Sequence, residues 1–262
     1  MARVPTGESV LARAARVIEA FGIDDSTLTV SEIARRAGLH VATASRLIEE
    51  LVRCGWLERD GRRVRVGVRL WEVASRSSPT VSLREAARPF MEDLHAVVDQ
   101  HTQLAVREGT EVLFLERLTA RGAAVNFTRV AGRLPLHASS SGLVLLAHSP
   151  IEVQDEVMNA PMRAFTEHTI HTPRDLRAAL AQIRRQGYAL CAGHLHPDTT
   201  GVAVPVRGAY EEVVAALGLI VPNDPSAYAQ IPALQAAARG ISRVISHPTP
   251  PSRSPTAHIF SQ

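Results

Sequence analysis

Residues 40–46, His-Val-Ala-Thr-Ala-Ser-Arg, place short and hydrogen-bonding side chains on what reads as the first turns of a helix. Short residues let a helix approach another surface closely. His40, Thr43 and Ser45 can bond phosphate oxygens or base edges, and Arg46 can fork onto a phosphate or a guanine. Val41 and Ala42 fill the same leading turn. Arg62, Arg63 and Arg65 follow an Asp60-Gly61 pair, a strong hairpin-turn signal. A hairpin tip carrying them would lie along a polyanionic backbone. A second group of residues falls later, at Arg133-Leu-Pro-Leu-His137-Ala-Ser-Ser-Ser-Gly142 and Cys191-Ala-Gly193-His194. Here a cation, imidazoles and hydroxyls stand beside a glycine that lets backbone N–H groups reach a ligand. The expected pocket is apolar with a few directed polar groups, the usual composition of a small-molecule site. Its expected lining is Arg133, Leu134, Leu136, His137, Ser139, Ser141, Gly142, Cys191, Gly193 and His194.

Other chemistries find less support. Ser139–Ser141 lack the Gly-x-Ser-x-Gly elbow of a hydrolase, so no catalytic residue is expected. His168-x-x-His171 and His194-x-His196 have no matching cysteine or carboxylate set, so neither metal nor cofactor is expected. Cys54 and Cys191 are too few for a disulfide scaffold and read as free thiols in a reducing compartment.

The elements that must position these residues can be read from periodicity. A first helix is expected over 9–21, with Val10, Leu11, Ala14, Val17, Ile18 and Phe21 on one stripe. Thr29 and Glu32 have capping-box spacing, and Gly38 ends the second helix. A third helix is predicted over 41–54, its inner face Ala44, Leu47, Ile48 and Leu51. Two helices joined by a glycine turn make a helix-turn-helix, whose second helix can enter a major groove about 12 Å wide. Thr29 and Ser31, at the start of the preceding helix, complete the expected DNA-contacting set. Strands at 56–59 and 64–67 make a wing.

Beyond the wing, a linker helix occupies 68–80, and the next helix carries an Ala86, Phe90, Leu94 and Val97 stripe. Strands are expected at 102–108, 112–118, 125–129, 201–206 and 213–221, and helices at 143–148, 173–186 and 226–246. The domain division is therefore 8–67, 68–80, 81–246 and a Pro- and Ser-rich tail, 247–262, expected to be disordered. The fold class is α+β: an N-terminal winged helix-turn-helix domain and a C-terminal α/β sensor-like domain.

The formal charge of +3 decides little by itself, but its distribution is informative. Residues 1–80 hold 13 Arg against 10 acidic residues, whereas 81–262 hold 16 of each, so the excess sits with the helix-turn-helix. No apolar run reaches the roughly 18 residues of a membrane span. The start, MARVPTGESV, has no apolar stretch of signal-peptide type, so a cytoplasmic location is expected.

Residues 12–21, Leu28–Leu39, Ala44–Leu47 and Leu51–Arg59 resemble the IclR family of transcription regulators. The likeness returns at Gly132–His137, Gly142, Leu145–Ala147, Ile183–Tyr188 and Ala203–Arg207. It implies a GAF-like effector domain, and a dimer or dimer of dimers on a palindromic operator in double-stranded DNA. It also implies a small carboxylic or aromatic acid that alters DNA binding. Three places depart from the family pattern. Leu143-Val144 stand where Lys-Ala is common, no acidic residue follows the Gly-Tyr segment near Gly193-His194, and no cysteine precedes the Ala-x-Pro strand at Gly201-Val202. The expected function is a ligand-responsive repressor, with dual action as a variant. The rival is a winged-helix protein-interaction module without sequence-specific DNA binding.

Overall fold

The computed structural model describes residues 8–126 and 128–246. The tail at 247–262 lies outside the described residues. The chain forms two compact units that divide between Ser82 and Leu83.

In the first unit, Ser9 caps α1 (Val10–Glu19) by accepting from the backbone N–H of Ala12. A two-residue strand, β1 (Leu28–Thr29), leads into α2 (Val30–Arg36). Thr29 and Glu32 form the reciprocal capping box that their spacing predicts. Gly38, at φ 63°, reverses the chain into α3 (Val41–Arg53). Strands β2 (Leu57–Asp60) and β3 (Arg63–Val66) pair around Gly61, and β1 adds to β3 as a third strand that periodicity did not reveal. A two-residue strand is too short to show alternation. Val17, Leu28, Ile33, Leu47, Ile48, Leu57 and Val64 fill the core. Helix α4 (Val68–Ser77) follows, and its Trp71 is 68% exposed.

In the second unit the described residues build a six-stranded antiparallel sheet in the order β6-β5-β4-β9-β8-β7. Its strands are β4 (His101–Glu108), β5 (Glu111–Leu118), β6 (Arg133–Pro135), β7 (Ala189–Ala192), β8 (Thr199–Arg207) and β9 (Val213–Pro222). One face packs against α6 (Ser140–Ala147), α7 (Ile151–Asn159) and α8 (Pro173–Gln186) through Leu143, Leu146, Val157, Leu176 and Leu180. The other packs against α5 (Pro79–Val98) and α9 (Ile231–Ser246), with a short 3-10 helix at Pro225–Gln230 before α9. A bulge sets two residues of β5 against one step of β4: Leu104 faces Glu116 while Ala105 faces Phe114. Side-chain alternation therefore changes phase at Leu115.

Several expectations need correction. No strand forms among the described residues of 125–129: Asn126 folds back to accept from the N–H of Thr128, and β6 occupies the edge of β5. Helix α6 starts at Ser140, not Leu143, because Ser139 is its cap. The α5 stripe is Ala87, Met91 and Leu94; Val97 is 77% exposed, and Phe90 sits partly buried over Gly240. Adjacent stripes on a helix containing Pro89 look alike in hydropathy, and only the sheet selects between them. Helix α7 is not among the elements that periodicity predicts.

Helix α6 is buried along its whole length. A β-carbon at Gly142 would stand 2.4 Å from the carbonyl oxygen of Leu136. On an open helix Gly→Ala is a gain. Here Gly142→Ala is expected to lose about 1–3 kcal/mol in urea unfolding; a variant as stable as the parent would refute this close packing.

Candidate DNA interface and effector cavity

Helix α3 presents its start to solvent. His40 caps it without a side-chain hydrogen bond, so its first N–H groups have no side-chain acceptor there. His40, Val41, Ala42 and Arg46 are exposed, and Thr43 and Ser45 are half-buried. The Ser45 hydroxyl donates to Glu49 at 3.4 Å. Ala44, Leu47 and Ile48 anchor the inner side, so Arg46 projects from a fixed base.

The wing arginines differ more than their spacing suggests. Arg63 donates to the hydroxyl and carbonyl of Thr27 at 2.6 and 2.8 Å, and Arg65 pairs with Glu58 at 2.8 Å. Both guanidiniums thus brace the wing and keep only their remaining donors for another partner. Arg62 lies in the turn, exposed. Thr29 spends its hydroxyl and its N–H on Glu32, which holds that carboxyl below the usual range, while Ser31 is exposed.

In the second unit a small cavity of about 30 Å³ opens at the N-terminus of α6. Its lining is Gln103, Val125, Asn126, Thr128, Ala138, Ser139, Ser140, Cys191, His194, Leu195, Thr199, Gly201 and Ile220. Of the expected pocket residues it brings together Ser139, Cys191 and His194. The others lie elsewhere. Arg133 is exposed and pairs with Glu111 at 3.4 Å. Leu134 and Leu136 pack in the core, and Ser141 and Gly142 are buried within α6. His137 Nε2 meets the Arg163 carbonyl at 3.0 Å, and Gly193 turns at φ 70° against His168. Gln103, Asn126 and Thr128 had been missed. The one available signal was a polar Asn-x-Thr placed inside an apparent strand.

Among the described residues the cavity wall has no Arg, Asp or Glu. Burial lowers the pKa of His194 to about 4, with His168 adding to the shift, so its imidazole is neutral near pH 7. Burial pushes the Cys191 thiol up to about 12, which leaves it a packing group and not a nucleophile. Asn126 Nδ2 and His194 Nδ1 are buried without a hydrogen-bond partner. Such groups are costly unless something binds them. A larger groove of about 670 Å³ lies on the α9 side, lined in part by Arg207, Arg239 and Arg243, and is more open to solvent than the cavity.

Among the described residues no cluster of three or more His, Cys, Asp or Glu is placed to hold a metal ion, and no helix is long and apolar enough to cross a membrane. Residues 10–61 match the IclR helix-turn-helix domain, and residues 77–247 match the C-terminal domain of bacterial IclR transcriptional regulators. The chain belongs to the IclR family. This IclR-family chain is 45% identical to an IclR homolog from Microbacterium hydrocarbonoxydans, solved in complex with 4-hydroxybenzoate; the match covers 90% of this chain and 99% of that one, with a TM-score of 0.87. It is 29% identical over 210 residues to the Escherichia coli HTH-type transcriptional regulator XynR, covering 79% of this chain and 83% of XynR. It is 28% identical over 212 residues to the Pseudomonas putida Pca regulon regulatory protein, covering 80% and 72%. It is an IclR transcription regulator with a winged helix-turn-helix and a GAF-like α/β unit, and these relatives are named as regulators, not enzymes.

The depressed His194 pKa has a consequence for stability. Unfolded, the ring titrates near 6.5; folded, near 4. Between those values the unfolded chain binds the extra proton, so stability is lost as pH falls from about 6.5 toward 4. His101 and His148 are also lowered by burial and act in the same direction. His194→Gln should flatten, without abolishing, the fall in urea midpoint between pH 7.5 and 4.5. An unchanged slope would mean that His194 already takes its proton in the folded state.

Proposed function

We propose that this regulator binds a palindromic operator as a homodimer or homotetramer, and that a small aromatic or carboxylic acid seated at the start of α6 releases it, so that the chain acts as a repressor. The carrying observation is the pair of buried, unpartnered nitrogens, Asn126 Nδ2 and His194 Nδ1, on two residues that line one cavity. Both can serve an oxygen-rich ligand. The first N–H groups of α6 favour a carboxylate, while Val125, Leu195 and Ile220 supply apolar wall for a ring. 4-Hydroxybenzoate, bound by the 45% identical relative, has this combination of groups. Exposed Val68, Trp71 and Val73 on α4, a helix with no buried side chain among those described, support pairing with a second copy. Two recognition helices then need half-sites about 34 Å apart or a multiple of that. An acid that prefers the released state tenfold shifts the balance by about 1.4 kcal/mol.

DNA binding is tested with Arg46. Arg46→Ala is expected to lose about 1–3 kcal/mol of affinity for a mapped operator by fluorescence anisotropy. Parent binding should weaken steeply with salt through counterion release. Salt-independent capture of protein partners, with no duplex binding, would favour the interaction-module reading. The cavity is tested by melting. Saturating 4-hydroxybenzoate should raise the melting temperature of the parent chain, and Asn126→Ala should abolish most of the rise. An equal rise in the variant would displace the ligand from this cavity.

A further inference from the structure

Glu116 is a carboxylate only 6% exposed within the sheet. Its two oxygens are held from different directions. Oε2 accepts from Arg84 Nε at 2.7 Å, with Arg88 Nη1 at 4.0 Å, both on α5. Oε1 accepts from the backbone N–H of Arg117 at 3.1 Å. The Arg117 side chain faces the other way and donates through Nη1 to the carbonyl of Thr128. The Thr128 hydroxyl in turn lies 2.8 Å from Gln103 Oε1 and 2.7 Å from Asn126 Oδ1. Gln103, Asn126 and Thr128 all line the cavity.

The β5 bulge makes this route possible. It turns Glu116 toward α5 beside Leu104, and so sends Arg117, opposite Gln103, to the cavity face. Adhesion does not require such a device, because Ala87, Met91 and Leu94 already fasten α5 to the sheet. With Glu116 buried and Arg84 half-exposed, this ion pair adds little net stability, and the best-attested use of a buried charge is to fix one arrangement against another. The part able to take a second arrangement is residues 119–126 and 128–132, which form no helix or strand. Gly122 turns the chain near its start at φ 73°, and Ala131 stands near its end at φ 63°. A left-handed alanine stores strain that a rearrangement can release.

We propose that Glu116 and Arg117 are positioning residues that couple the segment over the cavity to helix α5 through the sheet. A ligand that lifts Thr128 draws on Arg117, loosens Glu116 and frees Arg84. This role rests on the cavity being the effector site, but its first test does not need a ligand. In the full chain, Arg84→Met should speed hydrogen exchange at amides 128–132 by about threefold or more, with β8 and β9 unchanged, and Arg84→Lys should restore the parent rate. Parent-like exchange at 128–132 in Arg84→Met would reduce the pair to a local fastening and overturn the proposal. A rise spread equally over β8 and β9 would overturn it too, as general loosening. In a second arm, 4-hydroxybenzoate is added to operator complexes. The acid-induced change in operator affinity should shrink by about threefold in Arg84→Met, and an undiminished change would overturn the coupling. If the parent does not bind this acid, the effector reading fails for that ligand, and hydrogen exchange still decides the coupling.

Discussion

The first turn of α6 rests on the Leu136 carbonyl, at a distance that admits no side chain at Gly142. Much of the sensor unit follows from that depth. The sheet below must also give way. A β-carbon at Gly201 would meet the Ser140 hydroxyl at 2.8 Å, and one at Gly218 would meet that of Ser141 at 3.0 Å. Small residues on helix and strands therefore interlock, and the helix begins inside the molecule, where its N-terminus is shielded from water. A polar helix end in a poorly hydrated place attracts an anion more strongly than one at the surface. The serine run is spacer first; Ser139 adds a cap and Ser140 a cavity wall.

The two units treat charge in opposite ways. The first keeps Arg46 and Arg62 exposed and engages several other cations internally: Arg36 with Asp25, Arg63 with Thr27, Arg65 with Glu58. The Asp25 carboxyl is held below the usual carboxylate range by its hydrogen bond from Arg36, which pins the loop before α2. In the second unit the cavity at the start of α6 presents neutral polar groups and apolar wall. Such a wall suits recognition by shape and directed hydrogen bonds, whereas recognition of a duplex depends largely on cations.

Local chemistry explains which parts were legible from residues alone. Thr29 and Glu32, Gly38, and the Ala44-Leu47-Ile48 stripe act within one or two helical turns, and the helix-turn-helix emerged close to its final bounds. Helix α8 came out at 173–186 because Thr172 caps it and Gly187 ends it in the left-handed region. The cavity was only half legible. Ser139, Cys191 and His194 were found because they sit at a cap and on a strand with its turn. Gln103, Asn126 and Thr128 were not, since their facing depends on a bulge between strands and on a loop without periodicity. Arg133 and His137 looked suited to an anion, but Glu111 and the Arg163 carbonyl already engage them.

The small size of the cavity also bears on time. Its volume of about 30 Å³ is well below the roughly 150 Å³ of a cavity that takes up benzene. A ring-sized guest therefore requires part of the cavity wall to move. Entry becomes a first-order event of the protein, on the microsecond-to-millisecond scale of loop and lid motion. At high guest concentration the uptake rate levels off at this opening rate instead of rising without limit, and the same barrier slows departure. If this cavity is the effector site, the same opening step sets how fast a bound acid is exchanged.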